Sequence, residues 1–306
     1  MRIQAIILMC LLASICSAPA EDDKRPNIVL VVAKELARER LGCYGGKNSS
    51  PNIDRLAKQG VRYATAWGML DSKLSRRTVL TGRYPWHDAE TPLFPSLLEK
   101  AGYRVATGGD DTAKSLAFIE QSKKGAPFLL LHIVDTEDAD ADRLVGKLVT
   151  AIDAKGLKDN TMIVVTSDHG NGDSKADTGA HVPFIVRAPF LTKGDRVSKD
   201  LIDLSDLFPT VLSLAGIDVP KDLKLDGRTM IPSLRGSDDP FEKRNWIYSE
   251  VGDFRMVRDW HHLVDTEGNF HDVEHDPHQE KKVSPLDKQA PARRQRLQMI
   301  LDRFPR

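Results

Sequence analysis

Apolar positions along this chain repeat with two different periods. Asn27 to Val32 (NIVLVV), Phe128 to Val134 (FLLLHIV), Thr161 to Thr166 (TMIVVT) and Val182 to Val186 (VPFIV) are short runs, rich in β-branched residues and almost free of polar interruption. Strands covered on both faces in a parallel sheet read this way. Between them the period lengthens to that of a helix. Asp140 to Lys155 sets Leu144, Val145, Leu148, Val149 and Ile152 on one face and stops at Gly156. Asn52 to Gln59, Ser75 to Thr81 and Ser96 to Ala101 are shorter helical stretches, closed by Gly60, Gly82 and Gly102. Leu204 to Leu214 reads as a helix that Pro209 breaks. Strands alternating with helices over the first two thirds predict an α/β sandwich with a mostly parallel central sheet.

From Trp246 the pattern changes. WIYSEV, FRMVRD, HHLVDTEG and NFHDVEHD are short strand-like runs separated by turn residues, and an amphipathic stretch from Pro291 to Phe304 follows. They predict a small antiparallel sheet with a terminal helix. The organisation expected is a leader at residues 1–20, an α/β domain at 21–236 and a small C-terminal α+β subdomain at 237–306.

The leader is the one long apolar run. Arg2 supplies a positive start, Ile3 to Ile15 an apolar stretch and Ala18-Pro19-Ala20 a cleavage site, the build of a signal peptide. It is short for a membrane span, and Glu21-Asp22-Asp23 follows at once. The mature chain is therefore expected outside the cytoplasm, periplasmic or secreted, with no span after cleavage. Cys10 and Cys16 lie inside the leader and leave Cys43 alone, so stability has to come from a core and not from a disulfide. The 306 residues, 41% of them hydrophobic, are enough to build that core and exclude a disordered chain. Lys+Arg and Asp+Glu both number 44, with no basic run, and this balance predicts no nucleic-acid partner.

In an open parallel sheet, ligands gather beyond the carboxyl ends of the strands. The first run leads into Ala33-Lys34-Glu35, and the third into Ser167-Asp168-His169-Gly170. Adjacent Asp and His offer oxygen and nitrogen donors suited to a metal or oxyanion site. Taken alone, the pair reads more simply as a strand-end Asp capping the next turn beside an exposed His.

The wider context changes that reading. In order, RPNIVLVVAKE, LGCYGG, SPNIDRLAKQGVRY, SRRTVLTGRYP, LLEKAGYRVAT, LKDNTMIVVTSDHG, HVPFIVRAPF, LIDLSDLFPTVLSLAGI, LDGRTMIPSLRG and FHDVEHDPHQE closely resemble the sulfatases of the alkaline phosphatase superfamily. The resemblance extends over essentially the whole mature chain. It implies an alkaline-phosphatase-like sandwich and hydrolysis of sulfate esters, with sulfated small molecules or polysaccharides as partners. It also implies a formylglycine nucleophile made from a Cys or Ser at the head of a C-x-P-S-R pattern, and a calcium ion that neutralises developing charge.

Carried over by position, the nucleophile falls on Ser72 in SKLSR, with Leu74 where the pattern has Pro or Ala, and the motif's arginine on Arg76. Glu35, Asp168 and His169 match calcium ligands. Lys34, however, stands where the family has an aspartate. At an effective dielectric near 20, unit charges 4 Å apart interact by roughly 4 kcal/mol, so a lysine would repel a dication by roughly 8 kcal/mol. Calcium is thus implied by the resemblance and opposed by Lys34. Gly109-Asp110-Asp111-Thr112 replaces the family's G-K-W-H, and a His expected past the PFLLL strand has no match around Asp138. Lys175 is the candidate for a sulfate-binding lysine, beside Lys34. Cys43 in LGCYGG falls on a structural position. His261, His262, His271, His275 and His278 fit no tight metal spacing.

Three readings follow. The chain is a sulfatase-like protein with impaired catalysis and retained sulfate or phosphate binding, an active sulfatase using formylglycine derived from Ser72, or a non-catalytic interaction protein with no anion site.

Overall fold

The computed structural model describes residues 24–304 apart from Glu35, 88–89, Asp110, 136–137, 173–174, Pro277, Lys282 and 284–289. The leader therefore lies outside the described residues. In chain order, β1 is Asn27–Ala33, α1 Pro51–Lys58, β2 Val61–Tyr63, β3 Ala66–Trp67, α2 Ser72–Thr81, α3 Phe94–Lys100, β4 Arg104–Thr107 and α4 Thr112–Glu120. Next come β5 Phe128–Val134, α5 Asp138–Ala154, β6 Thr161–Ser167, α6 Asp177–Ala180, β7 Phe184–Arg187, β8 Arg196–Ser198 and β9 Ile202–Asp203. The rest is α7 Leu207–Leu214, α8 Ile231–Arg235, β10 Ile247–Val251, β11 Phe254–Arg258, β12 His262–Asp265, β13 Phe270–Asp272 and α9 Ala290–Leu301.

Seven strands form the central sheet in the order β4-β5-β1-β6-β7-β2-β8. It is parallel except at β7, which runs antiparallel to both β6 and β2. Because successive side chains of a strand point to opposite faces, the apolar runs feed two cores. Ile28, Leu30 and Val32 join Val79, Phe94, Leu98 and Phe208 on one face. Val29, Val31 and Ala33 join Ile53, Leu56 and the α5 stripe Leu144, Val145, Leu148, Val149 and Ile152 on the other. This is the α/β sandwich that the alternation of strands and helices predicts.

The C-terminal runs form a four-stranded antiparallel meander, β10-β11-β12-β13, covered by α9. Two helix readings need correction. Pro209 does not break α7, because it lies in the first turn, where its missing N–H has no helical partner to lose. Helix α2 starts three residues before the expected Ser75, since the Asp71 carboxylate accepts the Leu74 N–H at 2.9 Å and caps it.

Candidate functional site

β5, β1 and β6 are adjacent, and their last residues stand in register: Ala33 faces Val134 on one side and Ser167 on the other. The pairing continues one residue further. The Lys34 N–H donates to the Val134 carbonyl at 2.8 Å, and the Asp168 N–H to the Ala33 carbonyl at 3.2 Å. Asp135, Lys34 and Asp168 therefore form a row across three strand ends, neighbours being about 4.8 Å apart. Ser167 Oγ ties the row together: it accepts the Leu36 N–H at 3.0 Å and lies 3.0 and 2.8 Å from the carbonyls of Ala33 and His169.

Arg76 spans this row from α2. Its Nε donates to Asp168 Oδ2 at 2.9 Å, and Nη2 lies 2.9 Å from the same oxygen and 2.7 Å from Asp135 Oδ1. Asp168 is wholly buried and accepts from this guanidinium by charge-assisted hydrogen bonds. The Asp135 carboxyl is held below its usual range, first by the hydrogen bond from Arg76 and then, against a small opposing effect of burial, by the charges of Arg76 and Lys34. Among the described residues, Arg76 Nη1 and the exposed Lys34 ammonium make no hydrogen bond, though the charge of Lys34 acts on Asp135.

Ser72 opens α2, one turn before Arg76, and shares its helical face. The loop before α2 passes so close to the site that a Cβ on Gly68 would sit 2.9 Å from the Asp168 carbonyl and 3.0 Å from Ser75 Oγ. Buried Ser75 braces this approach by bonding the Met69 N–H and carbonyl at 2.8 and 3.2 Å.

The other candidates are placed as follows. His169 directs Nδ1 to the Gly170 carbonyl at 2.6 Å. Lys175 turns to the small sheet, donating to Glu267 at 2.7 Å and lying 5.6 Å from the Phe254 ring. Glu35 and Asp110 lie outside the described residues. The Cys43 thiol is pushed up to about 12, mainly by burial and further by Asp54, which keeps it protonated and unreactive. His261 and His275 pair with Glu274 and Asp272, while His262 stacks on Phe270.

Asp135 escaped the sequence reading, although its signal matched that of Lys34 and Asp168: a polar residue directly after a buried apolar run. Among the described residues, no group of three or more His, Cys, Asp and Glu comes together to hold a metal ion. Of the described candidate donors, Asp168 is engaged by the Arg76 guanidinium, and Lys34 stands beside it.

The sequence profile of the sulfatase family matches residues 26–124 and 136–217. An ulvan-active sulfatase from Formosa agariphila is 24% identical over 328 residues, spanning 77% of this chain and 64% of its own. The chain covers between 20% and 64% of the lengths of such curated relatives. Among solved structures, one determined with its substrate D-glucosamine-2-N,6-O-disulfate superposes with a TM-score of 0.79 at 17% identity, covering 91% of this chain and 97% of that one. The phosphonate monoester hydrolase of Agrobacterium radiobacter superposes with a TM-score of 0.78 at 16% identity, covering 91% and 95%.

Proposed function

The chain belongs to the sulfatase family, and from that premise we propose that it is an exported protein that binds sulfate esters of glycans or aryl compounds without calcium and turns them over poorly. The observation that carries this reading is the 2.9 Å bond from Arg76 Nε to buried Asp168. Sulfatases generally use calcium, and a guanidinium already occupies this carboxylate here. Arg76 supplies fixed positive charge and free Nη1 donors, Lys34 a mobile ammonium, and Ser72 a hydroxyl at the positive end of α2. Together they can hold three sulfate oxygens by charge-assisted hydrogen bonds. Turnover needs more, because it requires charge stabilisation that grows in the transition state, and a lone pair of monovalent cations provides it weakly. Residues 1–20 supply the export signal in this reading, consistent with there being, among the described residues, no helix long and apolar enough to cross a membrane.

Calorimetric titration with a sulfated disaccharide, with and without a calcium chelator, tests the proposal alongside an aryl sulfate assay. Binding is expected to be the same with chelator. Lys34→Asp, which beside Glu35 restores a carboxylate pair, is expected to raise calcium affinity and to weaken chelator-insensitive binding. Wild-type protein that holds stoichiometric calcium, or that needs it to bind, refutes the proposal.

A further inference from the structure

The two carboxylates on Arg76 are not equivalent. Asp168 is wholly buried, so its bond to Arg76 is made away from solvent. Asp135 is 60% exposed and is held by one guanidinium nitrogen at 2.7 Å. An exposed ion pair of this kind exchanges at little cost.

Beside Asp135 lies a cavity of about 270 Å³, whose walls include Thr112, Arg143 and Lys147 as well as Asp135 and Asp140. Arg143 and Lys147 are four residues apart on α5 and share a face. Asp140 is paired with Arg143, whereas Lys147 has no ionic partner among the described residues. Asp135 thus pairs with Arg76, under the charge of Lys34, and borders the cavity that Lys147 also lines.

Charge counting gives this arrangement a consequence for ligands. Among the described side chains of the row, Lys34 and Arg76 balance Asp135 and Asp168. Once Asp135 withdraws, one positive charge is exposed. A sulfate monoester carries one negative charge and restores balance, while a phosphate monoester carries about −1.5 to −2 at pH 7 and meets the fixed charge of Asp168.

Resting on the anion-binding reading above, we propose that Asp135 is a specificity-determining counter-anion: a sulfate monoester replaces its carboxylate on Arg76 one for one, and the displaced side chain turns into the cavity towards Lys147. The exchange breaks and forms only hydrogen bonds.

Titration calorimetry with methyl sulfate and methyl phosphate at pH 7.5 and low ionic strength tests it on wild type, Asp135→Asn, Asp135→Glu and Lys147→Met, plus the double variant Asp135→Asn with Lys147→Met. Asp135→Asn is expected to bind methyl sulfate about fivefold tighter, the factor that an exposed ion pair is worth, while Asp135→Glu stays near wild type. Lys147→Met is expected to weaken binding in the wild type and not beside Asp135→Asn, the non-additivity of residues that act together. Wild type is expected to prefer methyl sulfate. An Asp135→Asn affinity equal to or below wild type, a Lys147 effect of the same size in both backgrounds, or equal binding of methyl phosphate overturns the inference and leaves the proposed function standing. Absence of methyl sulfate binding in every variant overturns the proposed function itself.

Discussion

At the scale of single residues, burial decides which ionisable groups carry charge. His181 stacks on Trp67 with ring centroids 4.4 Å apart and donates from Nε2 to the Ala64 carbonyl at 3.0 Å. Its pKa is lowered to about 3, chiefly by burial and next by the charge of Arg38. The unfolded imidazole titrates near 6.5, so between the two values only the unfolded state takes up the proton. Stability from this group is complete above about pH 6.5 and is lost as the pH falls. His181→Phe keeps the stack and removes the titration. Denaturant unfolding at pH 7 and pH 5 is expected to show wild type losing about 2 kcal/mol more than the variant over that interval. Equal losses would mean that His181 titrates normally.

At the scale of elements, the site depends on three strand ends being held level. Ser167 does this with one hydroxyl, which serves the loop after β1 and the turn after β6 together. Ser167→Ala would leave the buried Leu36 N–H without its acceptor, a loss of about 1–3 kcal/mol. The row of Asp135, Lys34 and Asp168 would loosen with it. A lower midpoint in urea with unchanged slope, together with weaker methyl sulfate binding, is the expected result. A fall in stability with unchanged binding would confine Ser167 to the scaffold. The helix that carries Ser72 and Arg76 has a similar dependence, because its start is defined by Asp71 and its depth by the space left at Gly68.

At the scale of the whole molecule, the small sheet shares its apolar contacts with β3 and the loops around it. Met69 and Tyr84 pack with Tyr248, Val257, Val264 and Leu297. Trp67, Leu70 and Leu201 pack with Ile247, Phe254, Met256 and Leu263. A buried polar bridge reinforces the join, Ser249 Oγ donating to the Gly68 carbonyl at 2.6 Å, directly beneath the site. Residues 237–306 are therefore expected to unfold together with residues 21–236 in one calorimetric transition, and a chain ended at Gly236 to be insoluble. Two separate transitions would show that each part holds its own core.

What the sequence determined by itself was whatever local periodicity encodes. The contiguous runs in β1, β5 and β6 announced a sheet covered on both faces, the α5 stripe announced its covering helix, and the four C-terminal runs announced the meander. Strands β3, β4 and β8, of two, four and three residues, were not read from the chain. Lys34 and Asp168 were legible as candidates because polar residues directly after buried runs are a pattern along the chain, whereas Ser72 and Arg76 were placed only by the resemblance to the sulfatase motif. Their pairing was not legible. Only the register of β5, β1 and β6 brings Asp135 level with Lys34 and Asp168, and only the packing of α2 lays Arg76 across them. Lys175 was placed by the resemblance, and its ion pair with Glu267, which lies 92 residues further along the chain, was not legible. Charge pairing depends on distance in space, and that is decided by tertiary structure.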